Sequence, residues 1–302
     1  MSTRRHPALD GKTAVVTGAA RGIGRLLALR LAAEGAHPVL VGLEGDELAA
    51  TARDCATHAD VYEADVTDAP ALADIAARIE RHRGRIDIVV ANAGIATGGP
   101  FDHTPAHAFD RVIEVNLLGS IATARAFLPA LQRTGGYLLQ VASLAALTPA
   151  PLMGAYCASK SGVEAFAHCL APEQAPHGVG VGVAYLSWTD TDMVRGADSD
   201  TALATLRRRL PWPMNRTYAP EPAVERLLAG ITRRRRHIYG QPWLRTVQSL
   251  RGALPALIGT FGPREITRLR DQLEATRHQR ATAVGAGGAA DARARSDRGG
   301  AD

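Results

Sequence analysis

Cysteine is scarce in this chain: Cys55, Cys157 and Cys169 are the only three among 302 residues. An odd number without metal-ligand spacing excludes a disulfide framework and a zinc site, and leaves buried free thiols in a reducing, cytoplasmic setting as the expectation. Cys157 adjoins Tyr156, but neighbours on a helix diverge by about 100°, so no catalytic role is assigned to it. Aromatic residues make up only 5%, which leaves the arginine runs at 207–209 and 233–236 without stacking platforms for bases. The net charge of +5 then reads as solvated helix ends, and no specific nucleic-acid partner is expected. No apolar run approaches the ~20 residues of a transmembrane helix. Met1–Pro7 carries two arginines but no apolar run follows, so no secretory signal is expected.

Glycine, by contrast, is plentiful at 30, and 46% of residues are hydrophobic, a balance that suits a packed α/β protein. Strands are predicted at Lys12–Thr17, Pro38–Val41, Asp60–Glu63, Ile86–Ala91, Gly136–Val141, Val179–Tyr185 and His237–Gly240. Helices are predicted after Gly24, over Asp46–Thr57, Pro70–Arg81 and Pro105–Leu131, from Tyr156 to a kink or stop near Pro172, and over Glu221–Arg234. This alternation argues for one parallel sheet of about seven strands, doubly wound with helices on both faces. Ligands of such sheets sit beyond the carboxyl ends of the strands. Gly18, Asp65, Asn92, Ser143 and Leu186 all fall there.

Two stretches carry chemistry. Thr17-Gly18-Ala19-Ala20-Arg21-Gly22-Ile23-Gly24 joins a strand to a helix, an arrangement that offers free backbone N–H groups and a positive dipole end to a phosphate. Further on, Tyr156 and Lys160 lie four apart and share one helical face. A phenol ionises near pH ~10, too high for a base at neutrality, and a nearby ammonium favours the phenolate. Such a pair suits proton exchange with a substrate alcohol or ketone, with Ser143 positioned to hydrogen-bond the same oxygen.

In their order and spacing, the glycine loop, Asn92-Ala93-Gly94, Asn116, Ser143 and Tyr156-x-x-x-Lys160 resemble the short-chain dehydrogenase/reductase family over roughly Asp10 to Tyr239. The resemblance implies a Rossmann-like fold and hydride transfer between a nicotinamide and a carbonyl or alcohol carbon. It casts Tyr156 as acid/base and Lys160 as the group that lowers its pKa and binds the nicotinamide ribose. Ser143 would orient the substrate oxygen, and Asn116 would hold a relay water. It also implies cofactor contacts from Gly18, Gly22, Ile23 and Gly24 to the pyrophosphate, Asp65 and Val66 to the adenine, Asn92 beside the ribose and Thr191 at the carboxamide. Where the family usually has Pro-Gly after the sixth strand, this chain has Leu186-Ser187. A homo-oligomer, dimer or tetramer, built on the Asn116 and Tyr156 helices is a further implication.

Between NAD and NADP the residues pull both ways: Glu44 would repel a 2′-phosphate, while Arg21 would attract one. The balance leans to NAD. Asp190–Leu210 reads as a lid over the nicotinamide, with Pro211-Trp212-Pro213 and Met214 beside an apolar pocket. Residues 10–240 form the expected catalytic domain, preceded by a tail at 1–9. Residues 241–280 form a helical extension whose Trp243, Leu244, Val247, Leu250, Leu254, Leu257, Ile258 and Phe261 repeat at helical spacing. That extension would cover the core or a subunit interface, or wall a pocket for an apolar substrate; contact with a membrane surface through Arg245 and Arg251 is less favoured. Ala281–Asp302, rich in Gly and Ala, is expected to be disordered. The rival to an enzyme is a dinucleotide-sensing regulator of the same fold, though such proteins typically lack the Tyr or Lys kept here.

Overall fold

The computed structural model describes residues 9–275 and 283–299. Its centre is a seven-stranded sheet of β1 (Thr13–Thr17), β2 (His37–Gly42), β3 (Asp60–Glu63), β4 (Ile88–Ala91), β5 (Tyr137–Val141), β6 (Gly180–Tyr185) and β7 (His237–Tyr239). The strands run parallel in the order β3-β2-β1-β4-β5-β6-β7. Five of the seven are buried along nearly their whole length, and so they read as β-branched and aliphatic runs without polar alternation. Successive side chains point to opposite faces. Val15, Leu138 and Val183 join the core on one face, while Val16, Leu139 and Ala184 join the core on the other. Each fully buried aliphatic side chain contributes about 1.5–3 kcal/mol. The edge strand β3 is only partly covered, and Arg83 pairs with its Asp60 at 2.8 Å.

The helices are α1 (Gly22–Ala33), α2 (Gly45–Asp54), α3 (Ala69–Arg83), α4 (Ala106–Ile113), α5 (Gly119–Thr134), α6 (Leu144–Leu147) and α7 (Gly154–Gln174), followed by α8 (Asp192–Ser199), α9 (Thr201–Arg208) and α10 (Pro220–Thr232). Beyond β7 come α11 (Leu244–Leu250), α12 (Leu254–Arg268), α13 (Arg270–Ala275) and α14 (Gly285–Gly299). Strand order reverses between β1 and β4, and the crevice at that switch point holds the site.

Three expectations need correction. A regular helix was expected from Pro105 to Leu131, but α4 and α5 are joined by a π-helical turn, Glu114–Leu118. Asn116 sits in that turn, where the widened backbone lets its side chain bond inward. Ala106–Thr134 is long and apolar enough to cross a membrane by composition, yet half of its most apolar window is buried inside the fold, as in a core helix. Second, α7 begins at Gly154, two residues ahead of Tyr156, and it ends at Gln174, just past Pro172, whose missing N–H and ring clash with the preceding turn disfavour further helix. Third, the thiols are free but not deeply buried, Cys55 and Cys157 being partly covered and Cys169 exposed.

The extension is helical as expected. Leu244 is fully buried, with Trp243 and Val247 packed against the same core, and Arg251 pairs with buried Glu164 at 2.8 Å. Farther along, α12 has no buried residue, and Leu257 and Phe261 are more than half exposed. Within the stretch expected to be disordered, 281, 282 and 300–302 lie outside the described residues, but Gly285–Gly299 is a helix packed on α8. Small residues permit that packing: a Cβ on Gly196 would lie 2.4 Å from the backbone nitrogen of Gly285.

Candidate active site and cofactor cleft

The glycine loop leaves β1 at Thr17 and enters α1 at Gly22. Gly18 and Gly22 have φ of +66° and +55°, in the left-handed region that favours glycine. A Cβ on Gly24 would come within 2.2 Å of the Gly18 carbonyl oxygen. No side chain caps α1, so its first-turn N–H groups and positive dipole end are free for an anion. Asn92 staples the loop to β4: its Nδ2 donates to the carbonyls of Thr17 and Gly18 at 3.0 and 3.2 Å. The Thr17 hydroxyl accepts from the N–H groups of Asn92 and Ala93 at 3.0 and 3.1 Å. The amide nitrogen of Asn92 is therefore committed to the backbone of the loop. Gly24→Ala is expected to destabilise the protein by about 1–3 kcal/mol through overpacking, measured by urea unfolding.

On the other side of the cleft, α7 presents Tyr156 and Lys160. Lys160 is buried, and its Nζ donates to the Val141 carbonyl at 2.9 Å. Its ammonium lies 5.8 Å from the Tyr156 ring centroid. Ser143 caps α6, accepting from Ala145 N–H at 3.2 Å, and its hydroxyl donates to the Leu186 carbonyl at 3.3 Å. Asn116 is locked in place: Oδ1 accepts from Ile95 N–H at 2.8 Å, and Nδ2 donates to Ile95 O and Ser159 Oγ at 2.9 and 3.0 Å. A Cβ on Gly94 would lie 3.1 Å from Asn116 Oδ1 and 3.4 Å from Lys160 Nζ, so these two side chains flank Gly94.

Burial dominates the protonation of both groups. It pushes the Tyr156 phenol up, while a hydrogen bond with Ser143 acts the other way. It pushes the Lys160 ammonium down to about 8. Desolvation penalises both charged forms, so burial opposes the phenolate that a nearby ammonium would favour.

Toward the adenine end, the acid and base weighed for cofactor choice bind each other. Arg21 Nε donates to Glu44 at 3.0 Å and Nη2 forms a second bond to it, while Nη1 reaches Asp192 at 3.4 Å. Arg21 thereby ties the glycine loop to α8. Ile23 is buried beneath the loop, and Val66 packs on Gly119. Thr191 precedes α8, its methyl 3.4 Å from where a Gly22 Cβ would stand, and its hydroxyl donates to Thr189 O at 3.2 Å. Asp65 accepts from Arg111 at 2.7 Å, and the same guanidinium holds Asp291 of α14 at 2.6 Å. Burial works against the Arg111 charge, but its bonds to Asp291 and Asp65 outweigh that and move its pKa up.

Gly18, Glu44, Asp65, Asn92, Lys160 and Thr191 line one cleft, which retains a cavity of about 230 Å³. Its far wall is α14, through Gly287, Gly288, Ala290 and Asp291. The free α1 terminus, the glycines without room for a Cβ, and the carboxylates at the ends of β2 and β3 fit an extended dinucleotide. A second, apolar cavity of about 770 Å³ opens beside Ser143 and Tyr156, between α8–α9 and α12. Pro211 and Met214 line it. Trp212, expected there, is 75% exposed.

Arg111, Asp291 and Gln241 have no counterpart among the sequence expectations. Gln241 is buried and accepts from Ser187 N–H at 2.8 Å, supporting the loop where Leu186-Ser187 replaces the usual pair. Arg111 and Asp291 are 180 positions apart, and no local pattern joins them.

A sequence profile described as short chain dehydrogenase matches residues 12–202. The chain belongs to the short-chain dehydrogenase family. It is 41% identical over 184 residues to the probable oxidoreductase EphD of Mycobacterium tuberculosis, a match that covers 59% of this chain but only 31% of that relative. It is 29% identical over 238 residues to a fatty acyl-CoA reductase of Acinetobacter baylyi, covering 76% of each. Among solved structures, a metagenomic short-chain oxidoreductase in complex with NADP matches with a TM-score of 0.57 and 34% identity over 59% of this chain and 83% of that one. A short chain dehydrogenase from Mycobacterium paratuberculosis bound to NAD matches with a TM-score of 0.66 and 27% identity over 74% and 92%.

Proposed function

We propose that the protein interconverts a secondary alcohol and a ketone on an apolar substrate, with Tyr156 as the acid/base. One observation carries this reading: Ser143 and Tyr156 line both the dinucleotide cleft and the apolar cavity, so the proton-handling pair stands at their junction. A bound nicotinamide dinucleotide supplies or accepts the hydride. Tyr156 delivers a proton to the substrate oxygen in reduction and removes it in oxidation. Ser143 holds that oxygen by a hydrogen bond, and the ammonium of Lys160, fixed by Val141, acts against the desolvation of the phenolate. Asn116, held by three bonds, keeps Ile95 and the Gly94 backbone in place beside Lys160. The acyl-chain substrate in the name of the Acinetobacter relative agrees with the apolar lining.

NAD is the preferred cofactor in this reading. Arg21 is already met by Glu44 and Asp192, with Glu47 3.6 Å away, so a 2′-phosphate would enter a field of carboxylates. Titration followed by nicotinamide fluorescence should give tighter binding of NADH than of NADPH. Tighter NADPH would reassign Arg21 to the phosphate, and binding of neither would overturn the reading. Homo-oligomerisation through α4–α5 and α7 belongs to the same proposal, and Leu118, 53% exposed on the π turn, is suited to that interface. Leu118→Glu should lower the mass seen by light scattering; an unchanged mass would place any interface elsewhere.

A further inference from the structure

The charged side chains lining the apolar cavity are unevenly signed. Three are guanidinium groups, Arg207, Arg209 and Arg268, and one is a carboxylate, Glu265. Glu265 is shared by Arg209 and Arg268, each at 2.6 Å, which gathers these groups where α9 and α12 end. Arg207 is the most deeply placed, its side chain 12% exposed and its guanidinium 5.1 Å from the Trp188 ring centroid. Its Nη2 meets Asp198 at 3.0 Å and Thr217 at 2.9 Å. Its Nε and Nη1 are buried without a hydrogen-bond partner among the described residues. A largely covered cation with unmet donors is a costly arrangement in a wall made mostly of apolar side chains, and an acidic oxygen is the chemistry that relieves it.

We propose that the substrate is an anionic amphiphile, its chain lying in this cavity and its acidic group meeting Arg207, remote from the carbon that reacts beside Tyr156. This deepens the proposed function and rests on it for the reacting end alone. The half-exposed Leu257 and Phe261 at the α12 wall extend the apolar surface along which such a chain would enter. Charge recognition at a distance from the reacting carbon separates this substrate class from neutral ketones of equal length.

Calorimetric titration of the full-length protein with decanoate and with decan-2-one tests the proposal without turnover. Decanoate is expected to bind at least tenfold more tightly. Arg207→Gln should erase that preference, Arg207→Lys should reduce it, and Arg208→Gln, at the exposed neighbour, should keep it. Equal binding of the two ligands by the native protein overturns the proposal. So does a preference that survives Arg207→Gln or, should that variant not fold, survives Arg207→Lys undiminished. Equal weakening of both ligands by Arg207→Gln would also overturn it, by showing a packing role alone. If Tyr156→Phe retained turnover, the proposed chemistry would fail while the decanoate result stood.

The dinucleotide cleft carries a second, independent inference. Val284 donates its N–H to Ala96 O at 2.8 Å, Gly285 packs on Asp192 and Met193, and Asp291 reaches the Arg111–Asp65 pair. The start of α14 thus runs along the cleft from the nicotinamide end to the adenine end. The remaining 230 Å³ is below the roughly 300–1,000 Å³ of small-molecule and cofactor sites. We infer that α14 occupies cofactor space and is displaced when the dinucleotide binds, with Arg111–Asp291 as the latch. Asp291→Asn in the full-length chain should tighten NADH binding severalfold, and NADH should speed amide hydrogen exchange within 285–299. Unchanged or weaker NADH binding by Asp291→Asn, or slower exchange on adding NADH, would overturn it and make α14 a part of the binding site instead.

Discussion

Tyr156→Phe is expected to cut turnover by about 10²–10⁴-fold while changing NADH affinity by less than about twofold. The expectation follows from placement. Only the hydroxyl is removed, and the ring stays packed against Ala155 and Val115 in its own small cluster. The phenol is partly buried, and desolvation raises its pKa, so at neutrality it is protonated and ready to donate in ketone reduction. Oxidation needs the phenolate, so its rate should climb with pH beyond neutrality, whereas reduction should not. Single-turnover absorbance at 340 nm in both directions, across pH 6–10, checks this. Substantial remaining activity in Tyr156→Phe would remove the phenol from the mechanism.

Lys160→Met should abolish efficient turnover and yet gain stability on the native protein as pH falls. The Lys160 ammonium is buried, and desolvation brings its pKa down from 10.5 to about 8. The unfolded chain therefore binds more protons between these two pH values, so the contribution to stability rises as pH increases from about 8 to 10.5. Below pH 8 the whole penalty of the buried charge stands, on the order of 3 kcal/mol. Met keeps the length and removes the charge but leaves the Val141 carbonyl without its donor, a pH-independent cost of about 1–3 kcal/mol; the variant should therefore gain on the native protein by about 3 kcal/mol as pH falls from 10.5 to 7. Urea unfolding of both proteins at pH 7 and pH 10 measures it, and a difference that does not change with pH would contradict the assigned titration. A group that costs stability where chemistry needs it is the usual trade at active sites.

The cleft was legible in the sequence wherever local pattern and spacing carry the constraint. The glycine loop is written in residues that must lack a Cβ, and Tyr156 and Lys160 are one helical turn apart. Ser143, Asp65 and Asn92 are read from their places just beyond strands. The π turn at Asn116 was not legible, since a widened turn has the same apolar periodicity as the helix on either side of it. Nor was the Arg111 latch, because its partners come from the loop after β3 and from α14, and ion pairing across such separations leaves no periodic trace. The tail composition suggested disorder because it offers little to bury. A Gly/Ala face nevertheless packs closely on α8, and backbone proximity replaces side-chain burial there. The Arg21–Glu44 pair shows a further limit: each residue was weighed alone for cofactor choice, whereas the fold makes them one another's partner.

The most direct test of the account is a crystal structure with NADH or NAD soaked or co-crystallised. The pyrophosphate is expected over Gly18–Gly24, the nicotinamide ribose on Lys160, and α14 displaced. The reacting nicotinamide carbon should then stand about 3–3.5 Å from the place of a substrate carbon held at Ser143 and Tyr156. A dinucleotide bound outside this cleft, or inside it with the nicotinamide turned away from Tyr156, would contradict it.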